Sequence, residues 1–286
     1  MANLKLIRQR IKSAKNIQQI TRAMKLVAAA RLKKATDRVL EARPYSEKLR
    51  EIMLSLSSAG DLPSNKLMAK RDVNKIALIL ITADRGLAGS YNTGLLRKAG
   101  EFLKETTVPK SLITVGKKGN IFFSKRGFDV VFNHSVPSAG SRYEDAVIVG
   151  NKAREIYESG EVDAVYICYS KFFSAIRQVP QIVQLLPIAP PVTDDATSVS
   201  KDYVFEPDAA GLLEALLPRY FMGLVWQAMM ESTASEHGAR MSAMTSATDN
   251  AGKMIQSLTL TANRERQATI TKEILEVVGG AEALNN

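Results

Sequence analysis

The sequence predicts an α/β protein with long helices: a central α/β domain of mostly parallel sheet, and an antiparallel coiled coil formed by the N- and C-terminal helices. Three observations predict this. Gly and Pro are spread unevenly, apolar residues at both chain ends recur every three or four positions, and the middle holds near-continuous apolar runs separated by helical stretches.

The punctuation divides the chain into three parts. Residues 1–59 contain no Gly and one Pro, Pro44, whereas residues 60–200 hold eleven of the 17 Gly and seven of the ten Pro. Residues 208–278 return to four Gly and Pro218 alone. Both residue types are costly inside helices, so the order is helix, mixed domain, helix. The expected boundaries are 1–59 for the N-terminal helix, 70–195 for the central domain and 205–286 for the C-terminal helix that pairs with 1–59.

In the first part Leu4, Ile7, Ile11, Ala14, Ile17, Ile20, Met24 and Val27 step by three and four, which predicts one buried helical face. Pro44 removes a ladder bond and is expected to bend this helix. In the last part Leu217, Phe221, Leu224, Ala228, Ala234, Met241, Met244, Thr248, Ile255, Leu258 and Ala262 repeat the pattern with irregular steps. Asp208 is the expected N-cap and Gly279-Gly280 the expected stop. At 1.5 Å per residue the two helices would be about 80 and about 105 Å long, against a radius of gyration of about 19 Å for a compact chain of this size. Neither fits inside one globule, and each is the other's natural partner. Small residues crowd positions 232–252, and Ala28-Ala29-Ala30 answers them, so the pair is expected to be slim.

The middle part reads as alternating strand and helix. Strands are expected at Lys75–Thr82, Ser111–Val115, Asp163–Tyr169 and Val179–Pro187, with helices at Tyr91–Leu103 and Asp145–Glu158. Apolar strands separated by helices imply a sheet covered on both faces.

Charge is concentrated rather than general. Of 39 Lys and Arg, ten lie in residues 1–36, which contain no acidic side chain; the rest of the chain carries 29 of each sign. One cysteine, Cys168, excludes a disulfide framework or cysteine-rich zinc site. His134, in a polar loop, and His237, on the long helix, are too far apart in sequence to suggest a metal pair. No apolar run reaches the roughly 18 residues of a spanning helix.

Chemistry-bearing motifs are scarce. Gly89-Ser-Tyr-Asn-Thr-Gly94 matches the first half of a phosphate-binding loop, but Leu95-Leu96 stand where Lys and Ser or Thr are required. Gly86, Gly89 and Gly94 also miss the dinucleotide spacing. Gly116-Lys-Lys-Gly119 is a basic turn after the second strand. No nucleophile elbow, paired metal-binding histidines or acidic pair is present, so no residue is expected to be catalytic and no cofactor or metal is expected. The basic residues surround the first helix outside its apolar stripe, where a nucleic-acid surface would gather them on one face. The helix lacks the Trp or Phe of a membrane-surface helix. A cationic rod facing acidic protein loops fits best.

Longer motifs then point to a family. Ile20-Thr-Arg-Ala-Met-Lys-Leu-Val-Ala-Ala-Ala30, the run Ala234–Asn250 (ASEHGARMSAMTSATDN) and Asn263–Ile274 (NRERQATITKEI) resemble the gamma subunit of bacterial-type F-type ATP synthases. So do ITADRGLAGSYN at 81–92 and DYVFEPDAAGLLEALLPRY at 202–220. The resemblance runs from Asn3 to Gly280. It implies a central rotor shaft, one copy per complex, that couples proton-driven rotation of the c-ring to ATP synthesis or hydrolysis in the alpha/beta hexamer. Its implied partners are alpha, beta, the epsilon subunit and the c-ring, without nucleic acid and without a transmembrane segment of its own. Catalysis would lie on beta, and the chain would be peripheral, on the cytoplasmic face of the inner membrane.

By motif position the resemblance implies rotor–stator contacts at Met24, Lys25, Arg240, Arg266, Gln267, Thr271 and Glu273, and a surface facing the ring and epsilon at Tyr203 and Glu206. Many relatives carry Cys where this chain has Ala88, and the redox insertion of photosynthetic relatives is absent between Gln178 and Glu206, so thiol regulation is not expected. Two other readings stay open: a basic coiled-coil adaptor for acidic partners or nucleic acid, and a nucleotide-binding enzyme resting on Gly89–Gly94.

Overall fold

The computed structural model describes residues 4–58, 65–137, 140–189 and 209–285. The elements run α1 (Leu4–Ser58), β1 (Ile76–Ile81), α2 (Tyr91–Glu105), β2 (Lys110–Val115), α3 (Lys117–Ser124), β3 (Val130–His134), α4 (Tyr143–Glu158), β4 (Ala164–Phe172), β5 (Gln178–Leu186) and α5 (Ala209–Asn285). Two compact units result. One combines Met1–Val27 with Met241–Asn286, and the other is Ala28–Arg240.

In the larger unit the sheet order is β3-β2-β1-β4-β5. The first four strands are parallel and β5 joins the edge antiparallel to β4. β1 is central, and all six of its residues are buried, which explains its unbroken apolar sequence IALILI. One face packs against α4 and against Met53, Leu56, Leu213, Leu217, Phe221 and Val225 from the two long helices. The other face packs against α2 and α3 through Leu95, Leu103 and Phe123. Each fully buried Leu, Ile or Phe contributes about 1.5–3 kcal/mol, so the long helices are part of this core and not appendages to it.

Two elements were not expected from sequence. α3 is only eight residues long and starts directly after Gly116, at Lys117, without a periodic signal. β3 has mixed burial, so VVFNH lacks the continuous apolar run of a central strand. His134 therefore ends an edge strand rather than sitting in a loop, and its Nε2 lies 2.8 Å from Asp145 Oδ1. The other oxygen of Asp145 accepts from the Arg142 backbone N–H at 2.8 Å, so one carboxylate fastens β3 to the start of α4.

In the smaller unit α1 and α5 run antiparallel, since Thr21 pairs with Thr248 and Gln18 lies against Gly252. In this unit the buried or half-buried positions of α1 are Leu4, Ile7, Ile11, Ala14, Gln18, Thr21, Met24 and Lys25. From Leu4 to Thr21 that is a strict alternation of three and four, the 3.5-residue period of a left-handed coiled coil, and Met24 and Lys25 together take the next place. The expected stripe through Ile17, Ile20 and Val27 averages a shorter period and drifts off this seam, and all three are more than half exposed. The α5 seam holds better: Met244, Thr248, Ile255, Leu258 and Ala262 lie on it, with Ala251 added.

α5 also outruns its expected stop. It passes through Gly279-Gly280 to Asn285. Neither glycine adopts a left-handed backbone, and Ala281-Glu-Ala-Leu284 favours helix continuation. Pro44 and Pro218 both lie inside continuous helices. Asp208 falls outside the described residues.

One glycine is fixed by geometry. Gly116 has φ of +90, and a Cβ there would overlap the carbonyl oxygen of Thr82. Gly116→Ala is expected to destabilise the chain by at least about 2 kcal/mol, since left-handed strain and a backbone clash act together. Urea denaturation followed by circular dichroism measures this, and an unchanged midpoint would refute it.

Candidate functional site

In a doubly wound sheet, ligands bind beyond the carboxyl ends of the strands, where the strand order reverses. Here that crevice lies between the ends of β1 and β4. Its walls are the turn Thr82–Ser90 and the extension of β4 past its pairing with β1.

The turn is secured from several sides. The Thr82 hydroxyl accepts from the Gly119 backbone N–H at 2.9 Å and donates to the Val115 carbonyl at 3.1 Å. Asp84 Oδ1 accepts from the Lys117 N–H at 2.8 Å. Asn92 Oδ1 accepts from the Ala83 N–H at 3.0 Å. The first three N–H groups of α3 are therefore taken by Asp84, the Ala83 carbonyl and Thr82, and a carboxylate stands where an anion would dock on the basic turn. At the half-motif, Gly94 faces β5, and a Cβ there would lie 3.3 Å from Pro180 Cγ.

α5 fills the crevice itself. Ser232 Oγ accepts from the Ser170 backbone N–H at 3.2 Å, and the Ser235 hydroxyl donates to the Ser170 carbonyl at 2.9 Å. The Arg240 guanidinium lies 2.6 Å from Glu236 and donates to the Gly86 carbonyl at 3.4 Å. A second nitrogen of Arg240 lies 3.3 Å from His237 Nδ1. Arginine only donates, so Nδ1 accepts and the ring proton sits on Nε2. That Nε2 is buried without a partner, as is Glu231 Oε2.

Burial governs the titration of this cluster. It raises the Tyr91 phenol, and the nearby Glu236 carboxylate adds to the effect. It raises the Glu236 carboxyl, while Arg240 pulls it back. It pushes His237 down to about 4, and Arg240 and then Arg31 push the same way. Cys168 is fully buried on β4, and desolvation lifts its thiol to about 12, so it is a core residue without a reactive thiolate. No group of three or more His, Cys, Asp or Glu is placed to hold a metal among the described residues.

The residues expected at rotor–stator contacts fall in different settings. Met24 and Lys25 are half-buried on α1 in the smaller unit. Arg240 belongs to the larger unit and is turned inward onto Glu236 and Gly86. Arg266, Gln267, Thr271 and Glu273 are exposed, as is every residue from Arg266 to Ala281. That stretch shows Ile270, Ile274, Leu275, Val277 and Val278 to solvent, and among the described residues nothing covers α5 there. Tyr203 and Glu206 lie outside the described residues. Sequence reasoning missed Glu236 and His237 as partners of Arg240, Ser232 and Ser235 as partners of Ser170, and Asp84 as the acceptor for Lys117. The spacing of Glu236 and Arg240, four apart on one helix, was the only available signal.

The cluster sets a pH dependence. Above pH 6.5 His237 is neutral in folded and unfolded chains alike. Between 6.5 and about 4 only the unfolded chain takes up the proton, so stability falls as pH falls, by up to about 3 kcal/mol. Glu236 works in the opposite sense: its folded carboxyl is raised, so acidification through that value restores stability. His237→Gln is expected to flatten the acid-side loss between pH 6.5 and 4 in urea midpoints. An unaltered slope would rule out His237 as its source.

The chain matches the family described as ATP synthase over residues 3–284. It is 45% identical over 284 residues to the ATP synthase gamma chain of Pelotomaculum thermopropionicum, covering 99% of this chain and 100% of that one. The ATP synthase gamma chain of Moorella thermoacetica is likewise 45% identical, with the same coverage. Among solved structures, a chain of the Euglena gracilis mitochondrial ATP synthase, from the OSCP/F1/c-ring assembly, superposes with a TM-score of 0.69 at 20% identity, covering 98% of this chain and 94% of that one. A chain of the Tetrahymena thermophila mitochondrial central stalk and c-ring superposes at 0.60 and 23% identity, covering 80% and 99%. These two support the fold, and the bacterial relatives carry the assignment: the chain belongs to the ATP synthase gamma chain family.

Proposed function

We propose that this chain is the central rotor shaft of an F-type ATP synthase, coupling proton-driven rotation of a c-ring to ATP synthesis or hydrolysis in a hexamer of alpha and beta subunits. The chain is a non-catalytic subunit, catalysis lies on beta, and epsilon and the c-ring are its other partners. It sits peripherally on the cytoplasmic face of the membrane. No helix among the described residues is long and apolar enough to cross one.

The observation that carries this reading is the end of α5. From Arg266 to Ala281 the helix is exposed on all sides while bearing five large apolar side chains. They share one face, spaced as i, i+4, i+5, i+7 and i+8, opposite Lys272, Glu273 and Glu276, and a long apolar face left uncovered calls for a partner to cover it. Along α1 the basic residues Arg8, Arg10, Lys12, Lys15 and Arg22 are exposed outside the seam. Attraction of such a surface to acidic loops is long-ranged and does not fix one orientation, which suits a part that turns. The crevice that would bind a dinucleotide holds α5 side chains instead, which favours the shaft over a nucleotide-binding enzyme. Met24, Lys25, Arg240, Arg266, Gln267, Thr271 and Glu273 are the proposed contact residues on the stator side. Arg240 would act there partly by holding the Gly86 turn.

A tagged chain purified from its source is expected to bring down alpha and beta, each in threefold excess. Recovery without them would sink the shaft reading. Met24→Lys adds charge at a half-buried position of the helix pair. It is expected to lower proton pumping per ATP hydrolysed by several-fold while leaving assembly intact. Normal pumping per ATP would remove Met24 from the contact set.

A further inference from the structure

The β4–β5 hairpin tip, Lys171–Gln178, has no role in the site described so far. Ile176 is 88% exposed, more than any other large apolar side chain described, and Phe173 beside it is 51% exposed. Single exposed apolar residues are ordinary. This pair is held rigidly and is rimmed by charge of one sign. The Phe173 and Ser174 backbone N–H groups both donate to the Arg177 carbonyl, at 3.2 and 3.1 Å, and the Arg177 N–H returns a bond to the Ser174 carbonyl at 3.2 Å. Ser174 Oγ accepts from the Ile176 and Arg177 N–H groups at 3.3 and 3.1 Å. The Gln178 amide closes the base, donating to the Ala175 carbonyl at 2.7 Å. The Arg177 guanidinium lies 4.9 Å from the Phe173 ring centre and Lys171 Nζ lies 5.6 Å from it.

The tip is also fixed to α5. Gly238 approaches it so closely that a Cβ would lie 3.3 Å from both the Cα and the carbonyl oxygen of Ala175. From Ala164 to Thr193 the sequence holds no acidic residue, and its only cations, Lys171 and Arg177, are both at the tip. A rigid apolar knob loses little entropy on docking, and its cations select an acidic surface over a basic one.

We propose that Phe173 and Ile176 form an apolar contact knob that, with Lys171 and Arg177, docks on an acidic, apolar-bearing loop of the alpha/beta hexamer as the rotor turns. This rests on the shaft reading. It extends the rotor–stator surface from the long helices to the sheet domain, on the segment of α5 that carries Arg240.

The test uses the whole complex. Ile176→Cys is introduced with Cys168 left in place, because that thiol is buried and lifted to about 12 and does not compete for reagent. After labelling with benzophenone maleimide and illumination, a cross-link to alpha or beta at an acidic segment is expected, with at least a fivefold loss of ATP hydrolysis once rotation is blocked. Cross-linking only to epsilon or ring subunits, or none in a complex that still contains alpha and beta, would overturn the proposal. A chain that fails to co-purify with alpha and beta would instead overturn the shaft reading. Arg177→Glu tests the charge: its cross-link yield should fall several-fold, while Arg177→Lys should retain it. Equal yields from both would overturn the acidic-partner claim.

Discussion

Close approach of α5 to its neighbours is the constraint on which the structure depends. The helix meets β4 at backbone distance, with Ser232 and Ser235 bonding both polar groups of Ser170. It meets the hairpin at Gly238, and α1 at Gly252 and through the Thr21–Thr248 hydroxyl pair, 2.8 Å apart. A Leu at any of these positions would push the helix away by several ångströms. The small residues between Ser232 and Gly252 are thus a packing requirement. They replace apolar bulk with short hydroxyl bonds, each worth about 1 kcal/mol net, and let one helix serve first a sheet and then another helix.

That substitution decides what was legible in the sequence. The central strands announced themselves because burial on both faces leaves no room for polar residues, as IALILI shows. The long helices were legible through sparse Gly and Pro. The α1 seam was legible only in part: Leu4, Ile7, Ile11, Ala14 and Met24 lie on it as expected, but Gln18, Thr21 and Lys25 complete it while Ile17, Ile20 and Val27 face outward. Apolar spacing finds a seam only when the seam is the most apolar face. β3 and α3 were hidden for a related reason: an edge strand and a two-turn helix bury too little to impose a pattern. The crevice was partly legible. Its glycines stood out, but whether they faced a ligand or a helix depended on contacts between positions as distant as Gly86 and Arg240.

The sheet also illustrates how fold and activity part company. Its strand order and parallel core are those of dinucleotide-binding domains. The place where a cofactor would lie is taken by Ser232, Ser235, Glu236 and Arg240. Binding capacity has been exchanged for a permanent intramolecular ligand, a helix, and the turn that would cradle phosphate instead secures that helix. A fold-level analogy alone would have pointed to the wrong chemistry.

The uncovered end of α5 has a consequence for the cell's management of this protein. A lone helical segment of about 24 Å, rich in Thr, Ile, Val and Gly, is marginally stable in water. Its helicity has to be supplied by surroundings that the described residues do not provide. Copies made in excess of their enclosing subunits would present a sticky apolar terminus to chaperones, proteases and one another. Balanced synthesis is therefore a physical requirement written into this terminus: the same residues that let the chain seat in an assembly make it a liability whenever it is left over.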